Sequence, residues 1–114
     1  MIRNLSKKTE ISPDFMICKG ILCKMIGLMF SFKPKTIVFD FRKEQKMGLH
    51  MLFVFFPIDL LFIDDKMKIV ELKERFLPFT FYNSKAKAKY VVELPSSSIR
   101  KSKTSVGDLV MFKK

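Results

Sequence analysis

Tryptophan is absent from the chain, and histidine occurs once, at His50. One imidazole and two cysteines, Cys18 and Cys23, cannot assemble a zinc site of the usual four-ligand Cys/His kind, so no metal and no cofactor is expected. Two cysteines also make no disulfide framework, and they are read as buried free thiols in a reducing compartment. Glycine is scarce. Gly20, Gly27, Gly48 and Gly107 are too dispersed to form a phosphate-cradling loop. There is no Gly-x-Ser-x-Gly elbow and no cysteine paired with a second histidine, so no recognisable catalytic constellation is present. The first eight residues, Met1 to Lys8, lack the apolar core of a secretory signal. The longest apolar run, Leu49 to Ile63, falls short of the roughly 18–20 residues a spanning helix needs, and Pro57 and Asp59 interrupt it. No membrane insertion is expected, and the expected location is cytoplasmic.

What the chain does hold is apolar bulk and positive charge. Hydrophobic residues make up 48% of 114 residues, thirteen of them phenylalanine. That suffices for one domain, 1–114, burying roughly two thirds of the surface its unfolded form exposes. The net charge is +11. Residues 1–35 carry seven basic and two acidic side chains, residues 36–84 seven of each, and residues 85–114 eight basic and two acidic. The excess lies in the two flanks. Such asymmetry suits a polyanion-binding face. It equally suits a lysine-rich solvated surface, which the scatter of the lysines favours.

Periodicity points to a β-rich fold. Residues 2–5 and Thr9–Ile11 read as paired strands, Pro13-Asp14 as a turn, and Phe15–Cys18 as a further strand. Cys18, Ile21, Leu22, Met25 and Met29 then fall on one helical face, which predicts one short helix near residues 19–27 capped at Gly27. Thr36–Phe41 alternates, with Ile37, Phe39 and Phe41 on one face. Leu49–Phe56, apolar on both faces, belongs in the middle of a sheet. Pro57 marks a kink before the strand Ile58–Asp64, because proline lacks a ladder N–H. Asp64-Asp65-Lys66 turns the chain into Lys68–Lys73. Glu74–Asn83 reads as an irregular extended segment over a sheet edge. Tyr90–Leu94 is a strand with Tyr90, Val92 and Leu94 inward and Glu93 on its polar face. Ile99–Lys103 can form a helical turn, and Val106-Gly107-Asp108 turns into a last strand, Leu109–Phe112. Many short strands in an order that is not βαβ predict a compact antiparallel sandwich or small barrel.

Few residues stand out as carriers of chemistry. Asp59 lies in the most apolar part of the chain, on the face shared by Leu61 and Ile63. A buried carboxylate must be paired or hydrogen-bonded, or it becomes neutral. It is either a pocket acid or an acceptor of backbone N–H groups at the Pro57 bend, and the second reading is favoured. His50 and Met51 are its candidate neighbours in a ligand site, although a lone histidine on an apolar strand is usually a core residue. Asp64 and Asp65 in a turn are expected to face solvent rather than a cation. For nucleic acid the candidates are Lys85, Lys87 and Lys89, which follow Phe79, Phe81 and Tyr82, together with Arg100, Lys101 and Lys103.

Four blocks, taken together, carry a family resemblance. They are Gly27-Leu28-Met29-Phe30, Ile37-Val38-Phe39-Asp40-Phe41, His50-Met51 through Pro57-Ile58-Asp59 to Phe62-Ile63-Asp64, and Tyr90-Val91-Val92-Glu93-Leu94-Pro95 with Val106-Gly107-Asp108. In order and spacing they resemble the small proteins grouped as domain of unknown function 192, in an archaeal-type branch. The resemblance implies a compact β-rich fold with no established activity. Many members carry Trp-Met-Lys-Asn-Thr where this chain has His50-Met51-Leu52-Phe53-Val54, and Pro-Leu-Asp where it has Pro57-Ile58-Asp59. Met51, Pro57 and Asp59 are kept; the polar lysine and asparagine are not, so a ligand site built on them would be altered here. The combined expectation is a binding or accessory module, not an enzyme. Its groove for a small ligand or protein partner lies near the Pro57-Ile58-Asp59 bend, and polyanion binding through the basic flanks is the alternative.

Overall fold

The computed structural model describes residues 1–19, 36–46, 48–50, 57–77 and 80–113. Among these residues, ten strands and one helix follow in the order β1 (Ile2–Asn4), β2 (Thr9–Ser12), β3 (Met16–Lys19), β4 (Ile37–Gln45), β5 (Gly48–His50), β6 (Ile58–Ile63), β7 (Ile69–Phe76), β8 (Phe81–Asn83), β9 (Ala88–Pro95), α1 (Ser98–Ser102) and β10 (Val110–Phe112). The principal sheet has the strand order β3-β4-β9-β6-β7, a second has β10-β1-β2, and β5 pairs with β8 in a separate ladder. The principal sheet ends at β3 and β7 rather than closing on itself, so the fold is sandwich-like and not a barrel. Among the described residues every ladder is antiparallel except β3–β4. A parallel pair needs a connection of a dozen or more residues, and Lys19 and Ile37 are 18 positions apart in the sequence.

Strand β6 is the heart of this arrangement. All six of its residues are buried, between β9 on one side and β7 on the other. Its alternation divides two cores. Ile58, Leu60 and Phe62 pack with Ile37, Phe39, Phe76 and Val91 on one face. Leu61 and Ile63 pack with Val38, Val92 and Leu94 on the other, where Ile2, Ile11 and Val110 of the small sheet and Ile99 of α1 cover them. Each of these aliphatic side chains contributes roughly 1.5–3 kcal/mol by burial, which is why a strand with almost no polar residue can sit mid-sheet.

Several expectations hold, and others are corrected. The paired N-terminal strands, the alternation of Ile37 and Phe39, the turn at Asp64 and the final strand are all present. The Asp64 carboxylate itself shapes that turn, accepting hydrogen bonds from Lys66 N–H at 3.0 Å and Lys68 N–H at 2.9 Å. The apolar run, by contrast, does not enter the principal sheet at its start. Gly48–His50 pairs with Phe81–Asn83, so the segment read as irregular also supplies a strand. Glu93 is not on a solvated face. Strand β9 gives Val91 to one core and Val92 and Leu94 to the other, so both its faces are covered, and Glu93 is only 4% exposed, with Ile37 and Leu60 as its cross-strand neighbours. Cys18 lies in β3, as the strand expected over Phe15–Cys18 has it, but its sulfur is disulfide-bonded, against the free thiol expected. The helix expected near residues 19–27 and the strand from Met51 to Phe56 fall outside the described residues.

Candidate functional site

Asp59 follows the first residue of β6 and shares the parity of Leu61 and Ile63, so its carboxyl points to the face covered by α1. It is 1% exposed. Its two oxygens accept main-chain hydrogen bonds, Oδ1 from Arg75 N–H at 3.0 Å and Oδ2 from Ile99 N–H at 2.9 Å. The carboxylate is thus an acceptor of backbone donors, as the sequence suggested. The donors, however, come from β7 and α1 and not from the Pro57 bend. Each donor has a local cause. The β6–β7 ladder slips register between Ile58 and Leu60, and opposite the slip Arg75 takes a left-handed φ of 52° that releases its N–H from the ladder. The chain enters α1 through Ser97, also left-handed at φ 76°, with no side-chain cap from Ser97. Ile99 N–H is one of the unpaired donors of the first helical turn, and Asp59 accepts it in place of a local cap.

Above this acid lies a concavity of about 360 Å³ lined by Asp59, Glu74, Arg75, Ser96, Ser97 and Arg100. Across Ser96, which lines both, a larger one of about 650 Å³ opens between Ile11, Phe15, Met16, Pro95 and Lys101. The segment Pro95–Ser98 is the ridge between them.

The other residues singled out from the sequence do not converge here. His50 pairs through its backbone with Phe81. The β5–β8 ladder to which it belongs docks through Tyr82, whose ring meets Phe62 and Phe76 on the face of the principal sheet opposite Asp59. Asp59 and the strand of His50 are therefore on different faces. Met51 lies outside the described residues. Lys85, Lys87 and Lys89 sit where the chain enters β9, whereas Arg100, Lys101 and Lys103 follow its far end. A strand of that length separates the two groups by roughly 23 Å. Arg100 and Lys101 reach the two concavities; the other group does not.

Two acids matter that the sequence did not single out as buried: Glu93, expected on a polar face, and Asp108, placed only in a turn. Burial pushes the Glu93 carboxyl up to about 8. Its signal was available, since Val91-Val92 is apolar in both strand phases, the mark of a strand covered on both sides. Asp108 is the second. Burial raises its pKa, but hydrogen bonds from Asn4 Nδ2 at 2.9 Å, Lys7 Nζ at 2.8 Å and Ser105 N–H at 3.0 Å outweigh it and hold the carboxyl down at about 2. This cluster ties the β1–β2 turn to the approach of β10. Carboxylate oxygens of Glu44, Asp64 and Asp65 lie within 4.8 Å of one another at the surface, with Asp64 already engaged by its turn.

The comparisons with known proteins agree with this architecture. Domain of unknown function 192, described as an uncharacterized ACR, matches residues 6–112. The chain belongs to this family. Among its relatives, the UPF0127 protein of Pyrococcus horikoshii is 28% identical over 98% of each chain. That of Pyrococcus furiosus is 30% identical over 92% of this chain and 91% of its own. That of Thermococcus sibiricus is 35% identical over 95% of this chain and 71% of its own. Two crystal structures share the fold. One is a Sinorhizobium meliloti protein described provisionally as a transcription regulator, with a TM-score of 0.79 and 24% identity over 85% of this chain and 79% of its own. The other is a Novosphingobium aromaticivorans protein of unknown function, with a TM-score of 0.78 and 16% identity over 86% and 74%. Among the described residues of the DUF192 chain, no helix is long and apolar enough to cross a membrane.

Proposed function

We propose that this DUF192 protein is a binding module and not an enzyme, and that its binding site is the concavity over Asp59. The observation that carries the reading is the position of that acid: sealed at 1% exposure, it spends both oxygens on the main chain of Arg75 and Ile99, at the base of a half-open groove. A carboxylate so engaged serves as a brace and not as a general base. Two segments from distant parts of the chain are held at fixed positions, so a ligand finds the groove already formed and little ordering entropy is lost on binding. The test is a titration of the isotope-labelled protein with a chemically diverse fragment set, followed by amide shifts. Clustered changes at Asp59, Arg75 and Ser96 to Arg100 are expected. A set that moves no amide in this cluster defeats the proposal.

Polyanion binding is the second reading, and one observation favours it. Thr9 Oγ1 donates a hydrogen bond to Ser102 O at 2.7 Å, which brings exposed Lys8 to the same end of the molecule as Arg100, Lys101 and Lys103. Binding to RNA or DNA would weaken steeply with salt as counterions are released. A mobility-shift assay at low salt with micromolar protein and no shift removes it.

A further inference from the structure

The groove over Asp59 has a chemical character of its own. Arg75 and Arg100 both line it, and among the described residues neither forms an ion pair; the pair found there is Lys7–Asp108. Ser96 and Ser97 line it too, and neither hydroxyl makes a hydrogen bond to a described residue. Both arginines are placed by the same acid. Asp59 Oδ1 takes the N–H of Arg75 itself, and Oδ2 takes the N–H of Ile99, the residue before Arg100. Two planar guanidinium groups beside two idle hydroxyls form a donor set suited to an oxyanion.

Charge and shape narrow the class. Glu74 shares the rim and Asp59 the base, so the two carboxylates and two guanidiniums of the lining cancel in formal charge. A groove with no net positive charge disfavours a polyphosphate, and its two exposed arginines suit a single carboxylate. Ser96 also borders the neighbouring cavity of about 650 Å³, whose wall includes Ile11, Phe15 and Met16. Met16 is 57% exposed, an unusual outlay of apolar surface beside a cavity.

We propose that the groove binds the carboxylate of an apolar organic acid. The carboxylate lies between Arg75 and Arg100, and the apolar body crosses Ser96 to lie against Phe15 and Met16. This rests on the groove being the binding site.

The experiment titrates the full chain with octanoate, octanamide, acetate and inorganic phosphate, by calorimetry and amide shifts. Octanoate is expected to bind at least tenfold more tightly than octanamide or acetate and to move amides on both sides of Ser96. Arg100→Gln and Arg75→Asn, the latter because asparagine tolerates left-handed backbone, should each weaken octanoate at least tenfold. Both should weaken octanamide much less than octanoate and leave the melting temperature unchanged. Equal affinities for octanoate and octanamide overturn the anion site while leaving the groove as a binding site. Tighter binding of phosphate than of octanoate overturns the apolar half. Octanoate that maps elsewhere on the surface overturns the proposal entirely. Silence of the groove amides towards every probe and towards the fragment set removes the parent reading as well.

Discussion

Replacing Glu93 by glutamine should stabilise the protein, and by an amount that depends on pH in a defined way. Glu93 occupies the central strand of the principal sheet, with Ile37 and Leu60 as its cross-strand neighbours. Burial raises its carboxyl from 4.5 to about 8. Its folded pKa thus lies above its unfolded one, and the folded state holds the proton more tightly. Below pH 4.5 the group is protonated in both states and costs nothing by titration. Between 4.5 and about 8 the unfolded state ionises while the folded state stays neutral, so stability falls as pH rises. Above 8 both states are ionised and the loss is complete. At about 1.4 kcal/mol per pH unit, the loss at pH 7 is roughly 3 kcal/mol, and the plateau above pH 8 is roughly 5 kcal/mol. Domains have only about 5–15 kcal/mol in total, so this one carboxyl weighs heavily on stability between pH 4.5 and about 8. Glu93→Gln keeps the shape and a polar head but cannot ionise. The assay is urea unfolding at pH 4, 5, 6, 7, 8 and 9, followed by far-ultraviolet circular dichroism because the chain has no tryptophan. The two proteins should coincide near pH 4 and diverge steadily to pH 8. A difference that stays flat across the series refutes the buried, proton-retaining carboxyl.

Three further outcomes follow from single residues. Asp59→Ala leaves Arg75 N–H and Ile99 N–H without their acceptor at a buried site; a loss of about 2–4 kcal/mol is expected, read as a lower urea midpoint, with Asp59→Asn intermediate because one oxygen remains. Asp108 has the opposite sign to Glu93: its folded pKa of about 2 lies below the usual 3.8, so its stabilisation is present above pH 3.8 and is lost as pH falls towards 2. Asp108→Asn should remove that acid dependence in melts between pH 5 and 2. Gly107 has φ +98° and open space where a Cβ would stand, so Gly107→Ala meets only the backbone penalty of the left-handed region, about 1–2 kcal/mol; a neutral substitution would mean the turn relaxes.

The sheet-forming parts of the chain were readable because period and composition agree there. Ile58–Ile63 is apolar in both phases apart from Asp59 and proved to be covered on both faces. The same logic, applied to Val91-Val92, identifies β9 as central; a single acid at Glu93 masks it if alternation alone is counted. The N-terminal and C-terminal strands were legible one by one. Their meeting in one sheet was not, since Ile2 pairs with Phe112 across nearly the whole chain. The site suffered most from this. Asp59 was visible as an anomaly, but its donors lie 16 and 40 residues away, and no local pattern announces them. His50 drew attention for the same reason as Asp59, a polar residue in apolar sequence. Parity within β6 and the docking of Tyr82 then place its strand on the other face. Cys18 lies in the strand that its sequence suggested, and what stayed illegible was its oxidation, since two cysteines five positions apart carry no pairing signal of their own.

Asp59 joins fold and function in a way that neither a purely structural nor a purely chemical reading captures. A structural acid inside an apolar strand could be replaced by a hydrophobic residue if it only filled space, because burying a carboxylate is costly. Here it answers two main-chain donors that the fold cannot satisfy otherwise, one released by a bulge and one by an uncapped helix. Removing the bulge and supplying a serine or aspartate cap would make the acid dispensable. It would also return Arg75 to regular strand geometry and shift the entry of α1, taking both arginines from the rim. The irregularities that require Asp59 are therefore the same ones that form the groove. Stability and ligand recognition should fail together in Asp59→Ala but separately in Arg100→Gln.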